Sequence, residues 1–177
     1  MTPTPGSNSL DIAISATQTN RKKFLHFNLS KEVAALVKVE DITEVLHISG
    51  SQILPIPQMP EWVLGIHNWR DEMLWTIALD NFLLGIPLKS TDRFSTSKMP
   101  LIVVAIDNQY LGLVVAQVND IEWQDIDSIG PPRAQLLPTK LLPFMQGYTT
   151  DSGTILLDTR AIAHSPLFGQ FNYQLNL

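Results

Sequence analysis

The feature that most constrains the fold is a pentapeptide that occurs twice, with one difference, in similar surroundings. Residues 76–80 read TIALD and residues 154–158 read TILLD. Each copy follows a glycine-containing apolar run, VLGI at 63–66 or MQGY at 145–148. The match predicts an internal duplication in which each half holds a hairpin, a proline-rich crossing, a second hairpin and a short helix. Short strands punctuated by Gly and Pro indicate small β-barrels.

Four hairpins are predicted from pairs of apolar runs that flank short polar turns. The turns are the polar residues after RKKFLHFNL (21–29), HNWRD (67–71), DNQ (107–109) and TDSG (150–153). Prolines at 55, 57 and 60 make the segment between the first two hairpins extended, because proline lacks a backbone donor. The expected class is therefore all-β, with short helices after each copy of the pentapeptide.

The chain divides at its most polar interior stretch, KSTDRFSTSK at 89–98. We expect a disordered N-terminal tail at 1–20, a first barrel at about 21–88, a second barrel at about 99–165 and a C-terminal tail at 166–177. An alternative for the first segment is that LDIAI (10–14) acts as a docking peptide.

Composition excludes several classes of protein. The net charge is −5, which argues against nonspecific nucleic-acid binding through Lys and Arg. The chain has no cysteine, so disulfide scaffolds, thiolate metal sites and cysteine nucleophiles are absent. The longest apolar runs, LIVVAI and LGLVVA, are far shorter than the roughly 20 residues of a membrane span. No direct membrane insertion is expected, and an oligonucleotide-binding barrel pair is disfavoured.

A search for catalytic sets finds no phosphate-binding loop and no nucleophile elbow. The four histidines lack the spacing of a zinc site, so no metal, no cofactor and no enzymatic activity is expected. Neighbouring acids such as Asp41 and Glu44 suit solvated turns better than catalysis. One alternative remains open, a small-ligand-binding or enzymatic β-barrel that uses His67, Arg70 and Asp71.

Three tryptophans, Trp62, Trp69 and Trp75, fall within fourteen residues. Trp62 and Trp75 suit a core. Trp69 lies beside Asn68 and Arg70 in a predicted turn, where it could equally be buried or face a partner, because Trp and Arg are frequent interface hot spots.

The order of these motifs resembles the CheW-like family. The specific block is Pro57-x-x-Pro60-x-Trp62-Val63-x-Gly65-Ile66-x-Asn68-x-Arg70, and the similarity extends from about residue 21 to 165. The resemblance implies two tandem five-stranded β-barrels of the Src-homology-3-like type. It also implies a non-catalytic cytoplasmic adaptor that couples methyl-accepting chemoreceptors to a CheA-type histidine kinase at membrane-associated receptor arrays.

Carried over by position, the receptor-binding residues are Ile42, Glu44, Gly65, Asn68, Trp69 and Arg70. The receptor tip is expected in the groove between the barrels. Leu46, Ile48 and Ile53 are the expected kinase-binding residues, by location alone.

The sequence departs from the family at several positions. Asp71 replaces the Gly that normally follows the Arg, and a carboxylate there could pair with Arg70. Trp69 and Trp75 replace a Leu and a Pro, and Ala78 and Ala116 stand where acids are usual. These changes suggest a divergent member, of the kind that accompanies type IV pilus motility and phototaxis.

Overall fold

The architecture is that of a computed structural model, which describes residues 20–87, 96–132, 138–166 and 168. The predicted N-terminal tail except its last residue, most of the polar stretch 89–98 and most of the C-terminal tail lie outside the described residues. Part of the second proline-rich crossing, residues 133–137, lies outside them as well.

Strands dominate the described residues, and short helices connect them. The strands before the polar stretch are β1 (Arg21–Asn28), β2 (Ala34–Lys38), β3 (Ile42–Ser49), β4 (Ile53–Leu54), β5 (Val63–Trp69) and β6 (Glu72–Ala78), and α1 (Leu79–Leu84) follows them. After it come β7 (Lys98–Ile106), β8 (Gln109–Val114), β9 (Gln117–Asp125), β10 (Ile129–Gly130), β11 (Met145–Thr149), β12 (Ile155–Leu157) and α2 (Thr159–Ala163). Single 3₁₀ turns cover Val39–Asp41, Gly50–Gln52, Ile126–Ser128 and Leu142–Phe144.

The strands form two sheets with the same internal order. A middle sheet runs β4-β5-β6-β8-β7-β3, and a terminal sheet runs β10-β11-β12-β2-β1-β9. In both, the strand that carries the repeated pentapeptide pairs parallel with one strand of an antiparallel hairpin, β6 with β8 and β12 with β2. The predicted class is confirmed: the protein is mostly β and consists of two Src-homology-3-like units. Each sheet has six strands because β4 and β10, of two residues each, pair at one edge.

The two units are not consecutive segments of the chain, as the barrel boundaries at 21–88 and 99–165 would require. The first hairpin, β1–β2, belongs to the terminal sheet with β9–β12, whereas the hairpin β7–β8 belongs to the middle sheet with β3–β6. The duplicated halves therefore exchange their hairpins. The chain crosses between sheets at residues 39–41 and again at 115–116, where Val115 N–H donates to Pro100 of one sheet and Ala116 N–H to Asn28 of the other.

One apolar core lies between the sheets and joins them. Alternate residues of the terminal sheet, such as Leu25, Phe27 and Val37, pack in the same cluster as Ile102 and Leu113 of the middle sheet. The helices add to this core, because Leu79, Phe82 and Leu83 of α1 and Ile162 of α2 are buried in it. The residues between them in sequence fill two smaller cores, one inside each sheet.

Two equivalent glycines allow the short edge strands to approach. A Cβ on Gly65 would overlap the carbonyl oxygen of Leu54 in β4, and one on Gly147 would overlap that of Gly130 in β10. Each glycine lies at a register shift in its hairpin. The glycines that precede the repeated pentapeptide are therefore required for edge closure in both units.

We expect Gly65→Ala to destabilise the protein by about 3 kcal/mol or more, because the methyl group meets backbone atoms and φ is +136°. Urea unfolding measures the loss. Gly153→Ala is the matched control: its φ is +68°, but nothing lies within 4 Å of the added carbon, so a cost of about 1 kcal/mol is expected. Equal costs at the two positions would contradict the close approach.

The hairpin exchange predicts that neither half folds alone. A fragment of residues 20–87 lacks β7–β8, and one of residues 96–177 lacks β1–β2, so each is expected to show no cooperative unfolding by circular dichroism. Mixing the two fragments should restore it, because each supplies the hairpin that the other needs. Cooperative unfolding of the first fragment by itself would show that consecutive segments suffice.

Candidate functional site

The turn between β5 and β6 determines where the predicted site residues lie. Its two central residues, Arg70 and Asp71, have φ of 53° and 64°. Positive φ at both positions is the signature of a two-residue type I′ hairpin turn, which favours Gly, Asn and Asp. Asp71 therefore fits the turn, as its tolerance of the left-handed region indicates.

Four side chains meet beside this turn, and we refer to Glu44, Trp69, Arg70 and Tyr110 as the Glu44 cluster. Trp69 Nε1 donates to Glu44 Oε2 at 2.9 Å, and Arg70 Nη2 donates to the same oxygen at 2.8 Å. The guanidinium lies 4.7 Å from the Trp69 ring centroid. Tyr110 meets the same ring edge-on, with centroids 4.9 Å apart. Arg70 thus pairs with Glu44 and not with Asp71, which is exposed.

Three of the predicted receptor-binding residues have structural roles. Trp69 is 5% exposed and packs in the core inside the middle sheet. Of the two alternatives for this residue, burial is therefore the one observed, and almost none of its surface can contact a partner. Gly65 is buried against β4. Ile42 is partly buried and packs against the core between the sheets. A residue before an exposed turn can still point inward, because side chains alternate along a strand.

The other three residues remain accessible. Asn68 is exposed and lies opposite Met73 in the β5–β6 ladder. Arg70 is exposed at the turn, and Glu44 is half-buried beneath it. The structure therefore brings Glu44 and Arg70 together. Asn68, although only two residues from Arg70, is not part of the Glu44 cluster.

The expected kinase-binding residues do not form a surface. Ile48 is 3% and Ile53 is 8% exposed, and both pack inside the middle sheet with Leu46 against them. Strand alternation explains the error: on β3 the exposed residues are Thr43, Val45 and His47, which alternate with the covered ones. β3 is also the edge strand of its sheet. The sequence around β3 did not indicate which of its two faces is buried.

A groove separates the middle sheet from α2. It encloses a cavity of about 100 Å³, and its lining includes Trp75, Tyr110, Leu111, His164 and Phe168. Phe168 packs edge-on against Trp62, with ring centroids 5.2 Å apart. Sequence reasoning missed Tyr110 and Phe168, and the single available signal was that Tyr110 begins an apolar run directly after the polar residues 107–109.

An ion-pair group joins the two units at the edge of this groove. Asp107, in the β7–β8 turn, accepts from His164 Nε2 at 2.8 Å when the imidazole is protonated there, and Arg160 Nη1 lies 3.9 Å from its other oxygen. All three side chains are more than half exposed, so each pair contributes less than about 1 kcal/mol. The group links the β7–β8 turn to α2 but contributes little to the free energy of unfolding.

The alternative catalytic set does not converge. His67 is buried with its Nδ1 3.0 Å from the carbonyl of Gln52, Arg70 pairs with Glu44, and Asp71 is exposed. The acidic neighbours also take separate partners, because Asp41 accepts from Thr159 Oγ1 while Glu44 binds Arg70. No group of metal-ligating side chains is found among the described residues.

Comparison with known proteins is decisive for the family. Residues 23–166 match the CheW-like domain. The chain belongs to the CheW-like family. The scaffolding protein TtCheW from Thermoanaerobacter tengcongensis is similar in structure, with a TM-score of 0.64 and 27% sequence identity over 78% of this chain and 90% of that one. No curated protein matches significantly.

No helix within the described part of this CheW-like chain is both long and apolar enough to cross a bilayer.

The Glu44 cluster predicts unequal costs for its two charged members. Glu44→Ala removes the acceptor of the buried Trp69 N–H and should lower the free energy of unfolding by about 1–3 kcal/mol. Arg70→Ala removes an ion pair and a contact with the Trp69 ring, both made by a largely exposed side chain, and should cost less than about 1 kcal/mol. Urea unfolding of both variants measures the difference. Glu44→Gln keeps an acceptor and is expected between them; a larger cost for Arg70→Ala than for Glu44→Ala would contradict the assignment.

Proposed function

We propose that this protein is a non-catalytic adaptor that couples a methyl-accepting chemoreceptor to a CheA-type histidine kinase. Membership of the CheW-like family and similarity to a scaffolding protein support a scaffold role in chemotaxis. The identity of the two partners, the receptor and the kinase, is proposed in addition to this scaffold role. Through them the protein would work at membrane-associated receptor arrays in the cytoplasm.

The observation that carries the proposal is a continuous surface from the groove to the β5–β6 turn. Tyr110 lines the groove and also contacts Trp69, whose indole shares an acceptor with Arg70. An amphipathic receptor helix placed in the groove would bury its apolar face against Trp75 and Tyr110. Its polar face would meet Arg70, which supplies directional donors at the end of the groove.

We assign the kinase to the exposed edge of β3. Thr43, Val45 and His47 face outward on a strand whose outer edge is unpaired among the described residues. An exposed edge offers backbone donors and acceptors to a strand of a partner. This surface replaces Ile48 and Ile53, whose side chains are buried.

Coupling between the two surfaces requires only one peptide unit. Glu44 joins the cluster at the groove, and Val45, the next residue, is exposed at the kinase edge. A register shift lies between Ile42 and Glu44, at the start of this segment. A receptor state that draws Arg70 away from Glu44 would change the position of β3, and the kinase would respond according to the difference in contact energy between the two states.

The assignment to type IV pilus motility or phototaxis stays a prediction. A receptor or kinase gene next to that of this protein, with a pilus or photoreceptor cluster, would test it.

The receptor surface is tested with Arg70→Ala, which leaves the fold nearly intact. We expect binding of a cognate receptor fragment to weaken about tenfold, the loss of one charge-assisted contact, while kinase binding is unchanged. Lys22→Ala is the control, because Lys22 forms an exposed ion pair with Glu40 outside the groove. Charge reversal to Glu is less informative, since it would place a second carboxylate beside Glu44.

The kinase surface is tested with Val45→Asp, measured by isothermal titration against the kinase regulatory domain and the receptor fragment in turn. A loss of kinase binding with receptor binding retained is expected. Failure of the unmodified protein to bind either partner at micromolar concentration would overturn the proposed function.

A further inference from the structure

An apolar strip extends from the groove across the face of the middle sheet that also carries the core between the sheets. Leu111, Trp75, Ile66 and Leu54 are successive cross-strand partners on β8, β6, β5 and β4, so they form one row. Leu54 is 66% exposed, and Met73, two residues from Trp75 on the same face of β6, is 76% exposed. With strands about 4.8 Å apart, the row spans roughly 14 Å. Such a row of large apolar side chains suits a covering segment.

The chain itself contains a segment of matching pattern. Residues 170–177 read QFNYQLNL, in which Phe171, Tyr173, Leu175 and Leu177 alternate with amides. Strict alternation over eight residues is the pattern of a strand with one apolar face. Four such side chains in an extended strand span roughly 20 Å, at about 3.3 Å per residue. The segment lies outside the described residues.

The last described residue fixes where this segment starts. Phe168 lines the groove beside Trp75, and its backbone N–H donates to Ser165. Only residues 169 and 170 separate Phe168 from Phe171. They extend at most about 10 Å, so the near end of the strip is within reach of Phe171.

We propose that residues 171–177 bind across the apolar strip of their own chain and compete with the receptor helix for the groove. The first of these residues would cover Trp75, and the later ones Ile66, Met73 and Leu54. The segment has no charged side chain, which suits an apolar face that lacks charged residues in its row. The competition rests on the proposed receptor function, whereas the binding of the segment does not.

The expected size of the effect follows from an intramolecular equilibrium. If the segment covers the strip in about nine molecules of ten, the apparent receptor affinity is reduced about tenfold. A receptor must then displace the segment, and any factor that holds the segment elsewhere would sensitise the adaptor.

Disulfide trapping tests the binding of the segment without any partner. The protein has no native cysteine, so each introduced pair is unambiguous. Met73→Cys is combined with Leu175→Cys or, as the matched control, with Asn176→Cys, and oxidation is followed by gel mobility and mass spectrometry. We expect intramolecular cross-linking of the Leu175→Cys pair at least about tenfold faster than that of the Asn176→Cys pair, and loss of this difference in denaturing urea.

Equal rates for the two pairs, or rates that match those in urea, would overturn the proposal. Cross-linked dimers whose yield rises with protein concentration would also overturn it, because they would assign the strip to a second copy.

A truncation after Gly169 tests the competition. We expect receptor-fragment binding to become about tenfold tighter and kinase binding to stay unchanged. Unchanged receptor binding, combined with a positive disulfide result, would reject the competition while leaving the segment bound to the strip. No receptor binding by either protein would instead count against the proposed function.

Discussion

The core between the two sheets is the constraint on which the rest of the structure depends. It receives every second residue of the hairpins β1–β2 and β7–β8, so each hairpin has one face in this core and the other inside its own sheet. Two small units of this size bury little apolar surface separately. Because they share this core and exchange hairpins across it, we expect them to fold as one unit, and residues at the edge of the core also line the groove beside α2.

Local pattern predicted the hairpins well, since alternation and turn residues are properties of neighbouring positions. The runs around HNWRD and DNQ became β5–β6 and β7–β8, each with a two-residue turn of positive φ. The pairing of hairpins with sheets could not be predicted in this way. β2 pairs with β12, more than a hundred residues away, and both halves offer equivalent partners because they are duplicated. Proximity in sequence therefore suggested the wrong barrel boundaries.

The candidate site was likewise predicted only in part from the sequence. The motif located Glu44 and Arg70, which the structure joins at 2.8 Å across 26 positions. It also included Gly65 and Trp69, whose roles are backbone approach and core packing. A family motif contains residues needed for folding as well as residues that contact partners. The two kinds are told apart by their burial in the structure, which the motif alone does not give. The prediction of Ile48 and Ile53 as kinase-binding residues was wrong for a simpler reason. It considered only their location in the sequence, whereas a strand exposes only alternate side chains to a partner, and both of these are buried.

The position of Glu44 gives the proposed signalling route a physical basis. Its carboxylate accepts from a buried indole and from an exposed guanidinium at the same oxygen. The indole keeps one hydrogen bond to the carboxylate when Arg70 leaves, but the charge of Glu44 is then less compensated, so the proposed route expects a small shift of Glu44 rather than its release. Because Val45 is the adjacent residue on an edge strand, even a small displacement reaches the surface assigned to the kinase. Ionic strength should weaken the Arg70 contact more than the indole contact, since only the former is largely exposed.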